Sequence, residues 1–164
     1  MDEWEYRIFN FNEKLLVMTD FKYGEITEKI IGAAFRIHGT LGNGFQEVIY
    51  QRAMVLEFNS VSIIYAREFE MPIYYMDQHI GMRRVDFLVD NKISVELKAV
   101  IKLEDVHLAQ AINYLEAYNL EIGLLLNFGS KRMEFHRFTN KKYKPLNLQH
   151  PTNPTHPINP STDK

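Results

Sequence analysis

Apolar residues recur at helical spacing over residues 26–38. They stand three or four positions apart, at Ile26, Ile30, Ala33 and Ile37. Residues so spaced share one face of a helix, so we predict a helix here. Three glycines are expected to break it, at Gly39, Gly42 and Gly44. A second helix is predicted over residues 45–58, with Asn43 or Gly44 as its N-cap.

The next part of the chain is rich in β-branched and aromatic residues, which predicts strands. The expected strands are residues 61–66, 69–76, 85–89 and 93–100. Pro72 must lie at a sheet edge or a bulge, because proline has no N–H to donate to a neighbouring strand. Helical spacing returns over residues 103–118. The apolar run 122–128 predicts a strand buried on both faces, and residues 132–139 alternate as a last strand.

The predicted order is helix, helix, three or four strands, helix, two strands. A helix that crosses between strands predicts a mixed sheet flanked by helices, which is an α/β layered domain. We expect this domain over residues 21–144, after an N-terminal extension at 1–20 with an aromatic patch (Trp4, Tyr6, Phe9, Phe11). Five of the six prolines lie between Pro145 and Pro160 among Asn, Thr and Ser, which predicts a disordered tail at 145–164.

Composition narrows the possible functions. The chain has no cysteine, which removes thiolate metal sites and cysteine nucleophiles. Its 19 Lys and Arg against 21 Asp and Glu give a net charge of −2, which argues against binding nucleic acid through bulk positive charge. No apolar run approaches the roughly 18 residues of a membrane span. The acidic, aromatic N-terminus is unlike a signal peptide, so we expect a soluble, cytoplasmic protein.

Charged and apolar residues alternate along residues 94–99. Side chains alternate between the two faces of a strand, so Glu96 and Lys98 share one face, and Val95 and Leu97 lie on the other. In the preceding strand Asp86 points away from the apolar set of that strand. A solvated, charged strand face is the alternative interpretation of the same residues.

The turn between these strands sets their pairing. Asp90-Asn91-Lys92 is a good turn sequence. A three-residue loop centred on Asn91 pairs Asp86 with Glu96, with Cβ atoms about 4.5–5.5 Å apart. Two carboxylates that close repel unless a cation lies between them, and Mg²⁺ binds one or two carboxylates together with water and phosphate oxygens. Lys98 would then orient or deprotonate an attacking water, or stabilise charge on the phosphate.

Two helical positions add candidates. Glu47 aligns with Met54 and Phe58 at i, i+7 and i+11, on a face expected to be interior. A carboxylate there needs a partner or a metal, although a first-turn residue favoured by the helix dipole explains it equally.

In the later helix His107, Gln110 and Tyr114 form one stripe. The Gln and Tyr could hydrogen-bond site carboxylates or substrate phosphate, or the stripe is a solvated face. His107 is a metal ligand or a surface or capping residue.

Together these segments resemble the GxxExxY family. The resemblance rests on Gly44, Glu47 and Tyr50, and then on Arg84-Val85-Asp86, Val95-Glu96-Leu97-Lys98-Ala99 and the run from Val106 through Gln110 to Tyr114. It covers residues 21–139. This family is grouped with the PD-(D/E)XK nuclease superfamily, in which Val85 here stands at the position of the proline that the superfamily name records.

The resemblance implies a restriction-endonuclease-like fold and a site. Asp86 and Glu96 would be metal ligands, Lys98 the catalytic lysine and Glu47 a carboxylate from the first core helix, with Gln110 and Tyr114 in support. The implied function is a Mg²⁺- or Mn²⁺-dependent nuclease that acts on DNA or RNA.

The alternative is an inactive nuclease-fold module that binds nucleic acid or a protein partner. A basic cluster could contact phosphates in that case, namely Lys131, Arg132, Arg137, Lys141, Lys142 and Lys144. A solvated strand edge leading into the tail explains the same cluster.

Overall fold

The computed structural model describes residues 22–145. The expected N-terminal extension and the proline-rich tail after Pro145 lie outside the described residues. The elements in chain order are α1 (Gly24–Leu41), α2 (Glu47–Ser60), β1 (Tyr65–Tyr75), β2 (Gln78–Val89), β3 (Ile93–Lys98), α3 (Asp105–Ala117), β4 (Ile122–Asn127) and β5 (Glu134–Thr139). None of these helices is long and apolar enough to cross a membrane.

The strands form one sheet in the order β1-β2-β3-β4-β5. β1 pairs antiparallel with β2, and β2 antiparallel with β3. α3 joins the neighbouring strands β3 and β4, and such a crossover is the connection that a parallel pair requires. The predicted mixed sheet flanked by helices is therefore confirmed, and Pro72 lies on the edge strand β1 as expected.

The chain divides into two compact units. Among the described residues, the first contains residues 22–63 together with Leu97–Lys102 and Leu126–Phe135. The second contains Ile64–Glu96, Leu103–Leu125 and residues 136–145.

In the first unit, α1 runs further than the glycines suggest. The helix continues through Gly39 and ends at Leu41, so the prediction that Gly39 breaks it is wrong. A glycine with ordinary helical dihedrals weakens a helix by less than about 1 kcal/mol and does not end it. The end comes at Gly42, whose φ of 70° leaves the helical region while its N–H donates to the His38 carbonyl at 2.8 Å.

The start of α2 is organised by Tyr50 rather than by a capping side chain. Its N-cap is Gln46, not Asn43 or Gly44 as expected, and Gln46 makes no side-chain cap. The Tyr50 hydroxyl donates to the Gly42 carbonyl at 2.9 Å and accepts the Phe45 N–H at 3.2 Å. The Tyr50 ring is fully buried and stacks on Phe128 with ring centres 4.5 Å apart. Tyr50 is thus a packing residue that fixes the loop before α2.

In the second unit, β1 and β2 form a longer hairpin than predicted. The expected strands 61–66 and 69–76 are one strand that begins at Tyr65, and β2 begins at Gln78 instead of Val85. Residues 61–64 instead end α2 and turn, with the Ile63 N–H donating to the Phe58 carbonyl at 3.0 Å. Most of the hairpin end is exposed, so no buried face imposes alternation on its sequence.

Helix α3 and strand β4 contribute the interior of the second unit. Ala111 and Leu115 are buried on α3, and β4 is buried along its whole length as predicted. A Cβ at Gly123 would stand 2.9 Å from the Leu115 side chain, so the glycine allows Leu115 to approach the strand closely. The Asn140 side chain donates to the carbonyls of Leu115 and Leu120 and holds the end of the helix.

Candidate active site

Glu96 is a buried carboxylate in the middle of the sheet. Only 6% of the residue is exposed, and Ser94 on the same face is also buried. Val95 and Leu97 on the opposite face are fully buried, so β3 is covered on both sides. A solvated charged strand face is therefore the wrong interpretation for Glu96. A buried carboxylate is costly unless a hydrogen bond or a cation compensates its lost hydration.

Asp86 and Glu96 lie on the adjacent antiparallel strands β2 and β3. The register pairs Phe87 with Val95, Leu88 with Ser94 and Val89 with Ile93, as the three-residue turn predicts. The paired residues end one position before Asp86 and Glu96, so the pairing of these two stays a prediction. The turn closes as expected, with positive φ at Asp90 and Asn91.

The regular alternation of β2 is interrupted where Asp86 lies. Val85 and Leu88 bury in one hydrophobic cluster, although a regular strand would place residues three apart on opposite faces. On the neighbouring strand β1, Glu68 stands opposite Asp86 and has a φ of 50°. The residue pairs of β1 and β2 on either side of this position are regular. Irregular ladder positions of this kind re-aim a side chain and are frequent beside active sites. The prediction that Val85 alternates regularly with Asp86 and Leu88 is therefore wrong.

Lys98 and Glu47 lie in the first unit. Lys98 is the last residue of β3 and is half-buried, and its carbonyl accepts the Phe128 N–H at 2.7 Å. Strand alternation gives its side chain the same side of β3 as Glu96. Glu47 is the first residue of α2 and is half-buried, while Met54 and Phe58 on its face are fully buried.

The donor chemistry fits a hard divalent cation. Asp86 and Glu96 provide carboxylate oxygens from adjacent strands, and Mg²⁺ is commonly bound by one or two carboxylates with water and phosphate completing its shell. Within residues 22–145 no group of three or more His, Asp or Glu side chains forms a ready-made metal cage. The described acidic pair thus suits an ion that shares its coordination with substrate.

Tyr114 lies close enough to Glu96 for the charge of Glu96 to affect the pKa of the Tyr114 hydroxyl. Burial raises the pKa of the Tyr114 hydroxyl, the charge of Arg83 lowers it, and the charge of Glu96 raises it. The phenol is therefore protonated at neutral pH and can donate a hydrogen bond. Gln110, one turn earlier on α3, is half-buried as well. A fully solvated helix face is the wrong interpretation for this stripe.

His107 is a capping residue. Its Nδ1 accepts the Glu104 N–H at 3.0 Å, and the Glu104 side chain accepts the His107 N–H in return, which forms a capping box. Of the alternatives that the sequence left open for His107, the structure shows the cap. With Nδ1 engaged in the cap, we assign His107 no metal.

Arg83 is a site residue that the sequence did not single out. Its guanidinium lies over the Tyr114 ring, 4.1 Å from the ring centre. The adjacent Arg84 is exposed and ion-paired with Glu68 at 3.8 Å. The sequence gives no reason to prefer one arginine over the other, except that regular alternation along a strand would place their side chains on opposite faces. Alternation cannot identify the face of the site here, because the strand is irregular at Asp86.

The basic cluster near the end of the described chain is partly engaged inside the protein. Burial lowers the pKa of Arg137, against the opposing effect of the Glu121 charge. Lys142 forms an exposed ion pair with Glu116 at 2.7 Å. The remaining members are exposed, namely Lys131, Arg132, Lys141 and Lys144.

The fold is of the restriction-endonuclease-like class, a mixed α/β sheet flanked by helices. A sequence model of the PD-(D/E)XK nuclease superfamily matches residues 24–138. The chain therefore belongs to the PD-(D/E)XK nuclease superfamily. The narrower likeness to the GxxExxY family remains a prediction.

A solved structure titled "Crystal structure of SSO0001" aligns with a TM-score of 0.42 and 17% identity, covering 79% of this chain and 75% of that chain. A likeness at this level carries no argument about function. No curated protein matches this sequence significantly.

Proposed function

We propose that this protein is a metal-dependent nuclease that hydrolyses phosphodiester bonds in DNA or RNA. The observation that carries the proposal is the buried Glu96 carboxylate, on a strand that pairs antiparallel with the strand of Asp86. Membership in a nuclease superfamily supports the same reaction class.

In this proposal Asp86 and Glu96 hold Mg²⁺ or Mn²⁺, and a third carboxylate from Glu47 stays a prediction of the family resemblance. The bound ion would act as a Lewis acid on the phosphate and lower the pKa of coordinated water. Burial of Glu96 favours cation binding, because a cation compensates the lost hydration of the carboxylate.

Lys98 is proposed to assist the attack of water. Lys98 lies two residues after Glu96 at the end of the same strand, and side-chain alternation would bring its ammonium group to the same side of β3 as the proposed metal. There it would orient or deprotonate the attacking water, or balance the charge that develops on the phosphate. Gln110 and the protonated Tyr114 hydroxyl are proposed to hydrogen-bond site carboxylates or phosphate oxygens.

The test is a cleavage assay on labelled single- and double-stranded DNA and RNA, with Mg²⁺, with Mn²⁺ and with EDTA. We expect metal-dependent cleavage by the wild type and a loss of about 100-fold in kcat for Lys98→Met, because a positioned proton-transfer group contributes about 10²–10⁴-fold. Lys92→Met is the matched control, since Lys92 lies in the exposed hairpin turn and pairs with Asp90.

Full activity of Lys98→Met would overturn the role of Lys98. Cleavage that is unaffected by EDTA would contradict a metal-dependent reaction. Salt-dependent binding of nucleic acid with no cleavage under any metal would favour the inactive binding module instead.

A further inference from the structure

Among residues 22–145, Arg83 lies against an aromatic ring and forms no ion pair with an Asp or Glu. Its guanidinium stacks over Tyr114 at 4.1 Å, and its charge also reaches the hydroxyl of Tyr118. Tyr118 is itself fixed, because its hydroxyl donates to the Met71 carbonyl at 3.0 Å. The guanidinium is thus positioned by the Tyr114 ring.

One hydrogen-bond donor of Arg83, its Nε–H, is buried and unused within the described part of the chain. Its buried Nε–H finds no acceptor among residues 22–145, and no ion pair with an Asp or Glu forms there. A guanidinium carries five N–H donors in a planar fork that matches carboxylate and phosphate oxygens. A buried donor without an acceptor costs about 1–3 kcal/mol, so this arrangement is unfavourable unless a ligand supplies the oxygens.

The charges around Arg83 indicate which ligand it suits. The guanidinium of Arg83 lies over the Tyr114 ring, and the charges of Arg83 and Glu96 both affect the pKa of the Tyr114 hydroxyl. Arg83 also precedes Asp86 by three residues on β2. A phosphodiester that approaches two carboxylates meets repulsion, which a neighbouring guanidinium offsets through charge-assisted hydrogen bonds.

We propose that Arg83 contacts a phosphate of the nucleic-acid strand bound at the site, with Tyr114 as the residue that positions its guanidinium. This inference rests on the proposed nuclease function and adds a substrate-binding residue to it. The aromatic face of Tyr114 holds the planar guanidinium and leaves its N–H donors available, whereas a carboxylate partner would neutralise the guanidinium charge.

The test measures binding separately from cleavage. Fluorescence anisotropy with labelled single-stranded and duplex DNA and RNA, in Ca²⁺ and in EDTA, gives Kd at several salt concentrations. We expect Arg83→Met to raise Kd about tenfold or more and to reduce the salt slope by about one, as loss of one phosphate contact predicts. Arg84→Met is the matched control, because Arg84 is exposed and paired with Glu68, and it should bind like the wild type.

Two further variants distinguish recognition from folding. Arg83→Lys keeps the charge but loses the fork, so it should keep the wild-type salt slope with a weaker Kd. Tyr114→Phe keeps the ring that positions the guanidinium, so it should bind more tightly than Tyr114→Leu, which should bind like Arg83→Met. Circular dichroism melts identify any variant that fails to fold.

The outcomes separate this inference from the proposed function. Unchanged Kd and salt slope in Arg83→Met, or an equal loss in Arg84→Met, would overturn the role of Arg83, and wild-type cleavage would leave the nuclease proposal standing. If Arg83→Met weakens binding but the wild type cleaves nothing, the nuclease proposal fails alone. Absence of any wild-type binding would overturn the inference as well.

Discussion

Replacing Glu96 by glutamine is expected to lower the cleavage rate by about 1,000-fold while leaving the fold intact. Glutamine keeps the shape of the side chain but removes the negative charge that binds the cation. Metal ions contribute several kcal/mol of charge stabilisation in the transition state, and each ~1.4 kcal/mol corresponds to a factor of ten in rate. Single-turnover cleavage at saturating Mg²⁺ measures the loss directly.

The same variant is expected to be at least as stable as the wild type without metal. A neutral amide costs less to bury than a carboxylate, of which only 6% is exposed here. Glu70→Gln on β1 is the matched control, because Glu70 is exposed and its charge serves no buried site. Wild-type activity in Glu96→Gln, or an equal loss in Glu70→Gln, would contradict the assignment.

Replacing Gly129 by alanine is expected to reduce the free energy of unfolding by about 3 kcal/mol, at the upper end of typical overpacking costs. A Cβ at this position would lie within 3.0 Å of backbone atoms of Ala99 and Val100. Backbone atoms cannot rotate away, as a side chain could. The Asn127 amide oxygen also binds the N–H groups of Val100 and Gly129, which holds the two segments together.

Because Ala99 and Val100 directly follow Lys98, this substitution should also reduce cleavage. Chemical denaturation gives the change in unfolding free energy. Gly39→Ala is the matched control, since a Cβ at Gly39 meets nothing within 4 Å and the residue lies inside α1. That variant should gain about 0.5–1 kcal/mol from the higher helix propensity of alanine. Equal stability of the two variants would show that the close approach at Gly129 is not a constraint.

The sequence predicts a secondary-structure element well where a single physical rule determines which residues can occupy it. Strand β4 is apolar at nearly every position because both its faces are buried, so its burial could be predicted directly. The turn at Asp90-Asn91-Lys92 fixes the register of β2 and β3, because asparagine and aspartate tolerate positive φ. The predicted pairing of Asp86 with Glu96 is the next step in that register.

Other features depend on contacts between distant residues and leave no local pattern. Gln46 has no capping side chain, and the start of α2 depends on the Tyr50 hydroxyl instead. The extra length of β2 arises in an exposed hairpin, where neither face demands apolar residues. Arg83 could not be distinguished from Arg84, since its partner Tyr114 lies 31 positions later on α3. Such features require the tertiary structure.

The most direct test of this account is a calorimetric titration of the purified protein with Mn²⁺ and Mg²⁺ in the absence of nucleic acid. The wild type should bind a divalent ion, and a variant carrying both Asp86→Asn and Glu96→Gln should lose that binding while keeping the wild-type circular dichroism spectrum. Equal affinity for the ion in the wild type and in the folded double variant would contradict a metal site at this pair of strands.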